Sequence, residues 1–124
     1  MVRKVLLDVD TGVDDALGIL LAVHSPKLDV VAITTVNGNV SLSTATLNTC
    51  KMVELTGHVS IPVISGANNP LKRTSYFEHR IHGADGIGGA LKEMIPTKQP
   101  EPVYASDAII HYAQTTSEPL TLIM

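Results

Sequence analysis

The chain has 124 residues, enough for one domain with a real core, and 44% hydrophobic with 17% charged residues is a globular rather than a disordered composition. A formal net charge of −3 gives no electrostatic case for nucleic acid or an anionic membrane as partner. Tyr76, Phe77, Tyr104 and Tyr112 are too few for a base-stacking platform, and no apolar run approaches the ~20 residues of a spanning helix.

The first element is a short buried strand, Val5-Leu6-Leu7, ending at Asp8. A helix is predicted from about Asp14 to His24, with Val13, Ala16, Leu17, Leu20 and Leu21 on its inner face and Asp14 or Asp15 capping its start. Ser25-Pro26 stops it. Val30 to Thr35 is a continuous β-branched run, the pattern of a parallel strand covered on both faces. After the loop Asn37-Gly38-Asn39, a second helix is predicted from about Ser41 to Thr56, with Leu42, Ala45, Thr49, Met52 and Val53 inward and Gly57 ending it. Pro62 to Ser65 reads as a third strand. From Gly66 to Pro102 the signal is mostly loop, containing His79, Arg80, His82 and four glycines between Gly83 and Gly89. A third helix is predicted from Ser106 or Asp107 to near Thr115, then a fourth strand from Leu120 to Met124.

This alternation predicts a single α/β domain over residues 1–124, with a mainly parallel sheet, helices on both faces and a Rossmann-like core. The chain stops inside an apolar strand, so the expectation is the N-terminal part of a longer enzyme. Cys50 is the only cysteine, which excludes an internal disulfide and makes a reducing cytoplasm the simplest setting. On the second helix it reads as a small buried hydrophobe.

The densest chemistry lies between the first strand and the first helix. Asp8, Asp10, Asp14 and Asp15 are four of the twelve acidic residues, and no basic residue lies among them. Like charges this close raise one another's pKa or collect a cation. In a parallel α/β sheet, ligands gather beyond the carboxyl ends of strands, where Asp8 and Asp10 and the loop Asn37–Asn39 both fall. Oxygen donors suit Ca²⁺ or Mg²⁺ better than Zn²⁺. An EF-hand is excluded, because counting from Asp8 the glycine falls one place early and the twelfth position is Ile19.

Asp8-Val9-Asp10-Thr11-Gly12-Val13-Asp14-Asp15-Ala16 resembles the Asp-x-Asp-Pro-Gly-x-Asp-Asp-Ala signature of the inosine-uridine nucleoside hydrolase family. Ala32 to Asn39 is similar to that family's second segment, and Ile81-His82-Gly83-Ala84-Asp85-Gly86 to its third. The three occur in order and correspond to the N-terminal part of a full member. The resemblance implies calcium-dependent hydrolysis of the N-glycosidic bond of a small-molecule ribonucleoside. It implies Asp10 as calcium ligand and general base, Asp15 as chelating calcium ligand, and Asp8 as support in the metal cluster. It further implies Asp14 on the ribose hydroxyls, Asn39 on the ribose, and His82 in a mobile loop near the nucleobase. Full members are usually oligomers, so a homo-oligomer is expected. Thr11 stands where the family usually has Pro. Further calcium and ribose ligands come, in the family, from the part beyond this sequence.

Two other readings remain at the level of sequence. Leu6 to Thr11 also resembles the first motif of haloacid dehalogenase-like phosphatases, which would make Asp8 a nucleophile, Asp10 a general acid and Mg²⁺ the cofactor, but leaves Asp14-Asp15 and Asn37–Asn39 without a task. The other is a non-catalytic fragment that keeps the fold alone.

Overall fold

The computed structural model describes residues 1–124 and contains one four-stranded sheet. Strands β1 (Arg3–Val9), β2 (Leu28–Thr35), β3 (Val63–Ser65) and β4 (Leu120–Ile123) lie in the order β3-β2-β1-β4, and every neighbouring pair is parallel. Helices α1 (Val13–His24) and α2 (Leu42–Thr56) follow β1 and β2; a single turn, α3 (His79–His82), interrupts the long loop, and α4 (Ala105–Thr115) precedes β4.

Alternation along the central strands divides the core in two. Val5, Leu7, Val30, Ile33 and Val63 face Ile19 and Ala22 of α1 and Cys50, Met52 and Val53 of α2. Leu6, Ala32 and Ile64 point the other way, against Ala105 and Ala108 of α4. The helices therefore cover both faces, as the continuous apolar runs of β1 and β2 require. Each fully buried branched side chain contributes about 1.5–3 kcal/mol relative to exposure.

Several boundaries differ from the predicted ones. The charged residues Arg3, Lys4 and Asp29 extend the pairing of β1 and β2, and Lys4 Nζ meets Asp29 Oδ2 at 2.8 Å. Helix α1 begins one residue earlier, at Val13, with Gly12 at the N-cap, so Asp14 and Asp15 lie in its first turn and neither caps it. Of its predicted inner face, Ala16 and Leu20 do pack against the core, but the buried residues are Ile19 and Ala22, and Val13, Leu17 and Leu21 are exposed. Because α1 is apolar nearly all round, periodicity could not choose among its faces. The cap of α2 is Ser41, whose hydroxyl accepts the Thr44 amide at 3.3 Å, and Gly57 closes the helix in the left-handed region at φ 78°. Helix α4 begins at Ala105, with Tyr104 at its N-cap.

Candidate active site

The site is built where β1 ends and α1 begins. Asp8, Asp10 and His82 each have a definite hydrogen-bond partner there. Asp8 is the penultimate residue of β1, and its Oδ1 accepts the Thr34 hydroxyl of neighbouring β2 at 2.5 Å. Asp10 follows the strand, and its Oδ2 accepts the Asn39 amide at 2.7 Å. That approach needs Gly38: a Cβ there would collide with the Asp10 carboxylate. Asp10 and the Asn37–Asn39 loop are thereby held together, as expected of two adjacent strand exits. Asn39 lies beside Gly12 as well, its Nδ2 being 3.0 Å from where a Gly12 Cβ would stand.

Asp15 is half-buried on the first turn of α1. Burial, the shared hydrogen bond with Asp10 and the charges of Asp10 and Asp14 push its carboxyl up to about 7, against a lowering contribution from the Gly12 backbone. Asp15 Oδ2 is buried without a hydrogen-bond partner, and the two neighbouring carboxyls repel each other when both are ionised. Asp14, by contrast, points outward, with its side chain 79% exposed.

His82 is placed in α3, not in an open loop, and is only 8% exposed. Its Nδ1 accepts the Val13 amide at 3.0 Å and lies 3.9 Å from Asp14 Oδ1. The third segment thus does reach the acidic loop, through Gly12, Val13 and Asp14.

Three residues with no assigned role in the sequence reading hold the loop from beneath. Thr11 Oγ1 lies 2.7 Å from Thr49 Oγ1 of α2. Asn48 Nδ2 donates to Thr11 O at 3.2 Å and to Asp85 O at 2.8 Å, tying the acidic loop to the His82 segment. All three side chains are buried. Thr34, under Asp8, is the fourth such residue. The signal was present in α2, where Thr46, Asn48 and Thr49 interrupt an inward face with polar groups that need buried partners. The Thr11–Thr49 pair also fixes the loop at the position where Pro would have fixed φ.

The expected metal set is only partly gathered. Asp10 and Asp15 adjoin, Asp8 is turned to Thr34, and no three His, Cys, Asp or Glu side chains come together as a ready cluster. The Asp10–Asp15 pair nonetheless fits a hard cation: both offer oxygen, they repel when ionised, and one buried oxygen lacks any partner.

Comparison with known proteins places the chain in a family. The profile of inosine-uridine preferring nucleoside hydrolases matches residues 5–124. The pyrimidine-specific ribonucleoside hydrolase RihA of Escherichia coli O1:K1 is 39% identical over 124 residues, covering 99% of this chain and 39% of its own. Its counterpart in Photobacterium profundum is 34% identical over 123 residues, with the same shares. Among solved structures, the purine-preferring ribonucleoside hydrolase from Gardnerella vaginalis superposes with a TM-score of 0.87 at 32% identity, covering 97% of this chain and 39% of that one. A plant nucleoside hydrolase gives 0.81 at 37% identity, over 97% and 38%. The chain therefore spans about two fifths of the length of these relatives. With the family profile covering nearly all of it, this chain belongs to the inosine-uridine preferring nucleoside hydrolase family.

Proposed function

We propose that this chain carries the acidic half of a ribonucleoside N-ribohydrolase centre. The observation that supports the reading best is the Asp10–Asp15 pair, two crowded carboxyls with an unpartnered buried oxygen at the carboxyl end of a parallel sheet. In this reading Asp10 and Asp15 hold Ca²⁺, with Asp8 supporting them from its bond to Thr34. Bound calcium would supply a Lewis acid that draws together a water and the ribose diol.

The chain's own residues account for the rest of the chemistry. Asp10 takes the proton of the attacking water. Its Oδ2 is fixed by the Asn39 amide, which limits the orientations the carboxylate can take. Asp14, exposed on the first turn of α1, binds the ribose hydroxyls, and Asn39 contacts the sugar. Water oxygen bonds to the anomeric carbon as the bond to the base nitrogen breaks, and the departing base carries away the electron pair and takes up a proton from solvent. The nearby carboxylates stabilise the positive charge that develops on the sugar. His82 faces the leaving base through Nε2, since Nδ1 is engaged by Val13.

The phosphatase alternative is not favoured by the family match, and it still gives Asp14 and Asp15 no task. Incubation with uridine or inosine and Ca²⁺, set against p-nitrophenyl phosphate and Mg²⁺, separates the two. Ribose release is the expected result. Phosphate release without ribose refutes the proposal, and a folded chain that does neither favours the non-catalytic reading.

A further inference from the structure

Helix α1 has an anomaly at its start. Its N-cap residue is Gly12, which has no side chain to satisfy the orphan amides of the first turn. The missing acceptor comes from 69 residues further along the chain, where His82 Nδ1 receives the Val13 amide at 3.0 Å. Gly12 makes the approach feasible, because a Cβ there would stand 2.5 Å from His82 Nδ1 and 2.7 Å from Cε1. His82 is 8% exposed, and its own backbone is fixed by Glu78 O at 3.1 Å and by the Gly88 amide at 2.9 Å. Asn48 ties the same two segments together a few residues away.

We infer that His82 is a positioning residue, a side-chain cap of α1 acting in trans through Nδ1, which sets the first turn that carries Asp14 and Asp15 and locks the 79–88 segment over it. That this turn orients ribose and metal ligands rests on the proposed function; the cap itself does not.

The chemistry of the ring follows. A backbone amide can only donate, so Nδ1 must present its lone pair and the neutral ring carries its proton on Nε2. An imidazolium would carry a proton on Nδ1 and could not accept from Val13. While the cap is in place, His82 can therefore offer the leaving group a hydrogen bond from Nε2 but cannot act as an imidazolium acid. Capping and full proton donation by this histidine exclude each other.

The cap is testable on the metal-free chain. Nitrogen-15 NMR should show His82 protonated at Nε2, with a scalar coupling across the hydrogen bond between the Val13 amide nitrogen and His82 Nδ1. Substitution separates the two ring nitrogens, because Asn offers an acceptor near the place of Nδ1 and Gln near that of Nε2. Hydrogen exchange of the Val13 amide should stay near the wild-type rate in His82→Asn and rise about fivefold or more in His82→Gln and His82→Ala, as expected for a lost helix cap. Calcium affinity, by calorimetry, should follow the same order. A protonated Nδ1, no coupling to Val13, or equal exchange in the Asn and Gln variants would overturn the inference. Failure of the chain to bind calcium would count against the proposed function and leave the exchange and coupling results to decide the cap.

Discussion

Replacing Asp15 by Asn tests the electrostatics of the acidic loop without reference to catalysis. Asn keeps the size of the side chain and removes the charge that repels Asp10 and Asp14. A carboxyl raised from 3.8 to about 7 binds its proton more tightly in the folded than in the unfolded chain. Its contribution to stability is complete below pH 3.8 and is lost as pH rises through about 7. A shift of that size corresponds to roughly 4 kcal/mol for a fully buried group. Asp15 is half-buried, and solvent screening reduces the figure to about 1–2 kcal/mol. In chelator, at pH 8, Asp15→Asn should therefore melt roughly 3–10 °C above the wild type. At pH 4.5 the gap should nearly close, because the native wild-type carboxyl is then protonated. Calcium should reverse the order at pH 8: the wild type gains about 2.7 kcal/mol at a hundredfold excess over Kd, and the variant gains little. Calorimetric melting at the two pH values, with and without Ca²⁺, gives all four numbers. A variant less stable than the wild type in chelator at pH 8, or a difference independent of pH, would refute the repulsion argument.

Calcium binding should itself depend on pH, weakening about tenfold for each pH unit below 7 as a proton competes for Asp15, and titrations at pH 5, 6, 7 and 8 would reveal a flat profile if the ligand were another group. Gly12→Ala should destabilise the chain by about 1–3 kcal/mol in chemical denaturation, because the new Cβ meets His82 at 2.5 Å and Asn39 at 3.0 Å. A neutral result would mean that His82 and Asn39 can move aside freely. Asn48→Leu should cost about 1–3 kcal/mol by leaving Thr11 O and Asp85 O without their donor, and unchanged stability would remove Asn48 from the support of the loop.

The sheet was legible because β1 and β2 are apolar on both faces, a pattern that few structures other than a covered parallel sheet accommodate. Ser41 and Gly57 marked the ends of α2 correctly because capping is local chemistry. The orientation of α1 was not legible. Leu17 and Leu21 are as apolar as Ile19 and Ala22, and only the packing against β1, β2 and α2 decides which pair is buried. Helix α3 was hidden for a different reason: four residues carry no periodicity, and this turn is held by the Glu78 carbonyl and by the burial of His82.

The candidate site shows the same division. The motif placed Asp8, Asp10, Asp14, Asp15 and Asn39 at adjacent strand exits, but it could not say that they face different ways. Asp8 turns to Thr34, Asp10 to the Asn39 amide and Asp14 to solvent, and only Asp15 is left with an unpartnered buried oxygen. The bonds of Thr11 to Thr49, of Asn48 to Thr11 and Asp85, and of His82 to Val13 join residues at least 37 positions apart. No local pattern announces such pairs; they exist only once the sheet has brought the loops together.

The role proposed for Asp10 and Asp15 is to hold a hard cation for work on a ribonucleoside. Its most direct test is a calorimetric titration of the metal-free chain with Ca²⁺ and with Mg²⁺, beside Asp10→Ala. The expected result is one calcium ion per chain, bound in preference to magnesium and lost in the variant. Equal heats for the two metals, or calcium binding that survives Asp10→Ala, would contradict it.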